Sequence, residues 1–158
     1  MRGIKSADNL VAQVEGDIED VDGVMRITKI RLHYRFLYDA VGRDYDWPRC
    51  TRLSDAALAA LLNDPRLEVH VLMAEGVPAG LAELDRRVEG DVELVQFGLM
   101  PEFIGQGLGR YFLRWAIDRA WGYGPRRFWL HTDTKDHPAA LPNYLKAGFA
   151  IYKEQVKG

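Results

Sequence analysis

Apolar positions along the chain change their period several times, and each change marks an element. After Val24 the segment Met25-Arg26-Ile27-Thr28 alternates as a short strand, and Leu32, Phe36 and Leu37 then recur at helical spacing up to Gly42. Ser54-Asp55 caps a second helix whose Leu58, Leu61 and Leu62 form an apolar stripe, closed by Asn63-Asp64-Pro65. Two strand runs follow, Glu68 to Ala74 and Ala79 to Arg87, and the hairpin turn Glu75-Gly76-Val77-Pro78 between them predicts antiparallel pairing. Glu89-Gly90-Asp91 turns the chain into a fourth strand, Val92-Glu93-Leu94-Val95-Gln96-Phe97-Gly98-Leu99. Leu108, Phe112, Leu113, Ala116, Ile117 and Ala120 then give a third helix its buried face, and Gly122-Tyr123-Gly124-Pro125 stops it. Phe128 to Thr132 reads as a fifth strand, Pro138 to Lys146 as a fourth helix and Phe149 to Glu154 as a last strand.

A strand, two helices, an antiparallel meander and a β-α-β-α-β tail describe an α/β domain of mixed α+β type, a mixed sheet with helices on its faces. The third helix is a parallel crossover, right-handed by default, so the turn before it lies at the carboxyl end of a central strand, where open α/β sheets bind ligands. Residues 1–23 hold Glu15, Asp17, Glu19, Asp20 and Asp22 with little periodicity and read as an acidic, poorly ordered lead-in; residues 24–158 read as one domain.

The 158 residues, 47% hydrophobic and 28% charged, suffice for one continuous core. A net charge of −2 without a basic block lacks the electrostatic footprint of a nucleic-acid binder. No apolar stretch approaches membrane-spanning length, and Met1 to Ser6 lead into no apolar signal region, so a cytoplasmic protein without a membrane partner is expected. One cysteine, Cys50, allows no internal disulfide and no thiolate cluster.

The chemistry concentrates after the fourth strand, where Met100-Pro101-Glu102-Phe103-Ile104 leads into Gly105-Gln106-Gly107-Leu108-Gly109-Arg110. Three glycines at a helix start leave bare N–H groups at the positive end of the macrodipole, an arrangement that accepts a phosphate. The dinucleotide fingerprint fails because Arg110 stands where its last glycine belongs, and no Gly-Lys-Ser/Thr run makes a P-loop.

With this turn and the segment Asn143-Tyr144-Leu145-Lys146-Ala147-Gly148-Phe149, the chain resembles the GNAT acetyltransferase superfamily over roughly residues 24–156. That family shows a Gln/Arg-x-x-Gly-x-Gly/Ala turn and a Tyr-x-Lys-x-Gly-Phe helix end. The resemblance implies a mostly antiparallel GNAT-like sheet, splayed between the fourth and fifth predicted strands and flanked by four helices. It also implies acetyl-CoA as co-substrate, no metal, and acetyl transfer to a primary amine, small-molecule or peptide, by direct attack in a ternary complex. The amides of Gly105, Gln106, Gly107, Leu108, Gly109 and Arg110 would then hold the CoA pyrophosphate, and the family's Gln/Arg position falls on Ile104. Phe97 and Leu99 match positions whose backbone pairs with pantetheine, with Gly98 a natural site for the bulge that splays the sheet. His137 stands near the family's cofactor-side asparagine position, and Asn143 adjoins the tyrosine.

Glu93 matches the general-base glutamate of several members, with Asp91, Asp133 and His131 as fallbacks, and Tyr144 matches the tyrosine that protonates the departing thiolate. The acceptor site is expected on the link between helices one and two, from Tyr38 through Asp44, Asp46 and Trp47, with His131 nearby; acids and aromatic rings together suit a cationic amine. A second reading is a non-catalytic acyl-CoA-binding or sensory module, motivated by Ile104 and His137. Assembly is left open, with a homodimer allowed.

Overall fold

The computed structural model describes residues 18–21, 24–27, 31–45, 47 and 52–156. Its strands are β1 (Ile18–Val21), β2 (Val24–Ile27), β3 (Leu67–Ala74), β4 (Val77–Asp85), β5 (Asp91–Leu99) and β6 (Arg127–Leu130), and they lie in one sheet in chain order. The helices are α1 (Arg31–Gly42), α2 (Asp55–Leu62), α3 (Leu108–Trp121) and α4 (Ala140–Lys146). Every pairing is antiparallel except β5 with β6, which are parallel and joined through α3.

β3 is buried along nearly its whole length, Glu68 and His70 included, because both its faces are covered. On one face Leu72, Ala82, Leu84, Val92 and Leu94 pack under Phe112, Leu113, Ala116 and Ala120 of α3 and Tyr144 of α4. On the other, Val69, Val71 and Leu81 pack under Tyr34, Leu37, Tyr38 and Val41 of α1 and Leu58 of α2. α2 starts where expected: the Ser54 hydroxyl accepts from the Ala57 N–H at 3.2 Å.

Three features differ from the sequence reading. Ile18–Val21, inside the segment read as a lead-in, forms a strand on the edge of β2; residues 1–17 lie outside the described residues. The β3–β4 hairpin turns on two residues only, Glu75 and Gly76, both at positive φ, so β4 begins at Val77. The last strand, Phe149 to Glu154, does not form. Phe149 is anchored against Phe128 and Tyr144, but Ala150 to Val156 are all exposed with no ladder partner among the described residues, and a short apolar run makes no strand without an edge to join.

Candidate active site

β5 changes its surroundings at Val95. Asp91 to Leu94 pair with Arg127 to Leu130 of β6, and there the pairing ends. On the other side Leu94 opposes Leu84 while Gln96 opposes Glu83, so Val95 is an extra residue, a β-bulge. The bulge therefore lies at Val95 and not at Gly98, the sequence expectation. Gly98 serves close packing instead: a Cβ there would stand 2.5 Å from Val41 and 3.5 Å from Trp47.

The extra residue shifts the alternation of side chains along β5. Val92, Leu94, Phe97 and Leu99 face α3, whereas Glu93, Gln96 and Gly98 face the side of α1. Beyond Leu94 the pairing with β6, which itself ends at Leu130, stops and leaves the β5 edge open, between the fourth and fifth predicted strands where the opening was expected. The Met100 N–H donates to the Ala79 carbonyl at 2.8 Å, so by alternation the backbone groups of Phe97 and Leu99 point away from β4 into the opening.

The open edge runs into the glycine turn. Gly105 and Gly107 sit at φ +85° and +82°, a region that favours glycine, and nothing lies within 4 Å of where either Cβ would stand. Gly107 is the N-cap of α3 and supplies no side-chain cap, so the N–H groups of Leu108, Gly109 and Arg110 begin the helix without intrahelical partners. Gly109 packs 3.5 Å from Leu99, tying the turn to the strand. The Gln106 side chain bends back to the Glu102 carbonyl at 2.9 Å, and Ile104 is exposed.

Glu93 and His131, which the sequence offered as alternative bases, come together. The His131 Nδ1 lies 3.2 Å from the Glu93 Oε1, with the glutamate side chain 24% exposed and the imidazole 79% exposed. Glu93 opposes Trp129 in the last paired stretch of β6, so the pair sits beside the start of the opening. Of the other fallback bases, Asp91 is held by Arg127, and Asp133 accepts the Lys135 N–H at 2.8 Å.

Tyr144 lies under the opposite face. Its ring packs edge-on against Phe97 at 6.4 Å and Phe149 at 6.0 Å, and among the described residues no group hydrogen-bonds its hydroxyl. Burial, followed by the Asp136 carboxylate, pushes the phenol above its ordinary range, so it keeps its proton until a strong base appears. The His137 Nδ1 accepts the Ala139 N–H at 3.1 Å, which leaves its Nε2 as the donor, while Asn143 is exposed.

The link after α1 is more packed than the sequence suggested. Trp47 lies over Gly42 and Gly98 and meets Tyr38 edge-on at 5.2 Å; buried Tyr38 accepts a hydrogen bond from Gln96 at 3.3 Å. Asp44 is exposed in a 3₁₀ turn (Arg43–Tyr45), and Asp46 lies outside the described residues. Sequence reasoning missed Glu83, fully buried on β4 and bonded to the Tyr34 hydroxyl at 2.5 Å. The available signal was a single acid inside the apolar run Ala79-Gly80-Leu81-Ala82-Glu83-Leu84. His131, Asp133 and His137 do not converge, and among the described residues no group of three His, Cys, Asp or Glu side chains could hold a metal.

The acetyltransferase (GNAT) family model matches residues 34–149 of this chain. An uncharacterized N-acetyltransferase of Mycobacterium tuberculosis is 33% identical over 99 residues, 63% of this chain and 63% of that protein; the match thus spans under two thirds of the relative's length. Among solved structures, an aminoglycoside acetyltransferase from an uncultured soil metagenomic sample shares 16% identity over 85% of this chain and 92% of that one, with a TM-score of 0.66. An aminoglycoside N-acetyltransferase in complex with CoA shares 21% identity over 92% and 97%, with a TM-score of 0.62.

Proposed function

The chain belongs to the acetyltransferase (GNAT) family, and from that membership we propose that it transfers an acetyl group from acetyl-CoA to a primary amine by direct attack in a ternary complex. The observation that carries the reading is the continuity of the open β5 edge with the uncapped start of α3. Phe97 and Leu99 offer backbone groups to an extended pantetheine arm as a neighbouring strand would, and the turn from Gly105 to Arg110 offers amides to a pyrophosphate. The fit extends to the glycines, whose bare backbone stands beside open space. Acetyl-CoA supplies the activated thioester.

The remaining work falls to side chains on the two sides of the opening. Glu93, with His131 beside it, takes the proton of the incoming ammonium, because an alkylammonium with a pKa of about 10 is no nucleophile. The amine nitrogen then bonds to the thioester carbonyl carbon and the carbon–sulfur bond breaks. Tyr144, which burial keeps protonated, gives its proton to the departing thiolate. The nitrogen sheds its second proton to solvent, from which the tyrosine is later reprotonated. Cytoplasmic location and action without a metal remain part of this proposal. Among the described residues no helix is long and apolar enough to cross a membrane.

A non-catalytic acyl-CoA-binding module would need the cradle alone, and the Glu93–His131 pair together with the unbonded Tyr144 hydroxyl favours catalysis. Thiol release by the purified protein tests this. Amine-dependent, saturable release of CoA is expected with at least one member of a broad amine panel; acetyl-CoA binding without release from any amine would overturn transfer.

A further inference from the structure

Beside Glu93 the surface sinks into an open depression of about 220 Å³ lined by Asp85, Arg87, Val88, Asp91, Glu93 and Trp129. Its charges are arranged in pairs. Asp85 is held by Arg87 at 2.6 Å and Asp91 by Arg127, while among the described residues Glu93 has only the imidazole of His131 as its partner. Two acids are thus balanced by two guanidiniums, and Glu93 is the lining carboxylate not paired with one. The rest of the lining is largely apolar: Trp129 opposes Glu93 across the β5–β6 ladder, and Val88, 66% exposed, stands on the β4–β5 turn. The link after α1, where the sequence placed the acceptor, has its tryptophan committed to Gly42 and Gly98.

We infer that this depression is the acceptor subsite, and that it takes a small primary amine with a single positive charge and an apolar, flat body. The inference rests on the acetyl-transfer reading above. The ammonium is drawn to Glu93, where it loses its proton, and the carbon body lies against Trp129 and Val88, releasing water from apolar surface. A polycation gains little, because its further charges meet no carboxylate outside an existing ion pair and must be partly desolvated beside Val88 and Trp129. Size argues the same way, since about 220 Å³ lies below the ~300 Å³ at which drug-sized pockets begin and suits a single ring, not an oligosaccharide.

The test is steady-state thiol release with phenethylamine, tryptamine and butylamine against spermidine and kanamycin, using wild type, Val88→Asp and Trp129→Leu. Wild type is expected to favour phenethylamine or tryptamine over both polycations by roughly tenfold or more in kcat/KM. Val88→Asp, a change at an exposed turn that leaves folding intact, is expected to raise KM for phenethylamine roughly tenfold and to improve spermidine. Trp129→Leu should raise KM for the aryl amines more than for butylamine. If wild type uses spermidine or kanamycin as well as the aryl amines, or if Val88→Asp leaves the preference unmoved, the subsite is wrong while transfer stands. If no amine on this or the broader panel releases thiol, transfer itself falls and the subsite with it.

Discussion

Glu68 at the start of β3 and Glu93 near the start of β5 are both acids on the same sheet, and their surroundings differ in kind. Glu68 is 1% exposed and saturated with partners: His70 Nε2 at 2.9 Å, Arg86 at 3.1 Å, Arg119 at 3.2 Å and the Tyr123 hydroxyl. The Arg86 guanidinium lies 3.9 Å from the centre of the Tyr123 ring, and Trp115 covers His70 edge-on. Burial alone would raise the Glu68 carboxyl, but hydrogen bonds from His70 and Tyr123 and the charges of His70 and Arg119 outweigh it and hold the group well below the ordinary range. In this cluster Arg86 Nε is the buried side-chain polar atom left without a partner among the described residues.

Around Glu93 the balance is reversed. Among the described residues its one partner is an exposed imidazole, the Tyr144 hydroxyl across the sheet has none, and the start of α3 has no side-chain cap. Apart from Arg86 Nε, protein groups satisfy the first cluster, so it holds elements together; the second region has polar capacity to spare, which is what a site for a ligand needs. The difference separates charge used for structure from charge available for chemistry.

Four perturbations would break or sharpen that contrast. The largest effect is expected from Tyr144→Phe, which should lower kcat by roughly two to four powers of ten with little change in acetyl-CoA affinity, measured by initial rates and by titration. Next, Glu68→Gln leaves two arginines facing a neutral amide in a buried network and should cost about 3 kcal/mol in urea unfolding, with kcat of the folded enzyme retained. Gly107→Ala forces a side chain into φ +82° and should cost about 1 to 2 kcal/mol while raising KM for acetyl-CoA. The smallest effect is that of mild acid. Because the folded Glu68 carboxyl lies below its ordinary 4.5, its stabilising contribution is complete above that value and is lost as pH falls toward the folded one. Between pH 6 and pH 4 the loss should stay under about 1 kcal/mol, and unfolding curves at each pH should show it diminished in Glu68→Gln.

The parts legible in the sequence were those that short segments decide. Gly105 to Gly109, the Ser54 cap and the run from Asn143 to Phe149 carry their geometry locally, whereas Tyr144 and Glu93 are candidates that the family resemblance supplied. What the sequence hid depends on partners far along the chain. The bulge at Val95 is visible only once β4 supplies a register, and Gly98 is small because Val41 and Trp47 press on it. Nothing in the strand run from Glu68 marks Glu68 and His70 as buried; Arg119 and Tyr123, about fifty residues later, close over them. The predicted last strand failed for a related reason: its apolar start suited a strand, but from Ala150 onward the chain joined no edge.

The central claim is that the polar groups without protein partners at the open end of the sheet are those that acetyl-CoA engages. Amide-resolved hydrogen exchange with and without acetyl-CoA measures this most directly. Protection is predicted at Phe97, Leu99 and Leu108 to Arg110, with the amides around Glu68 and His70 unchanged. Protection absent from the β5 edge and the start of α3, or confined to the region of Glu68, would contradict it.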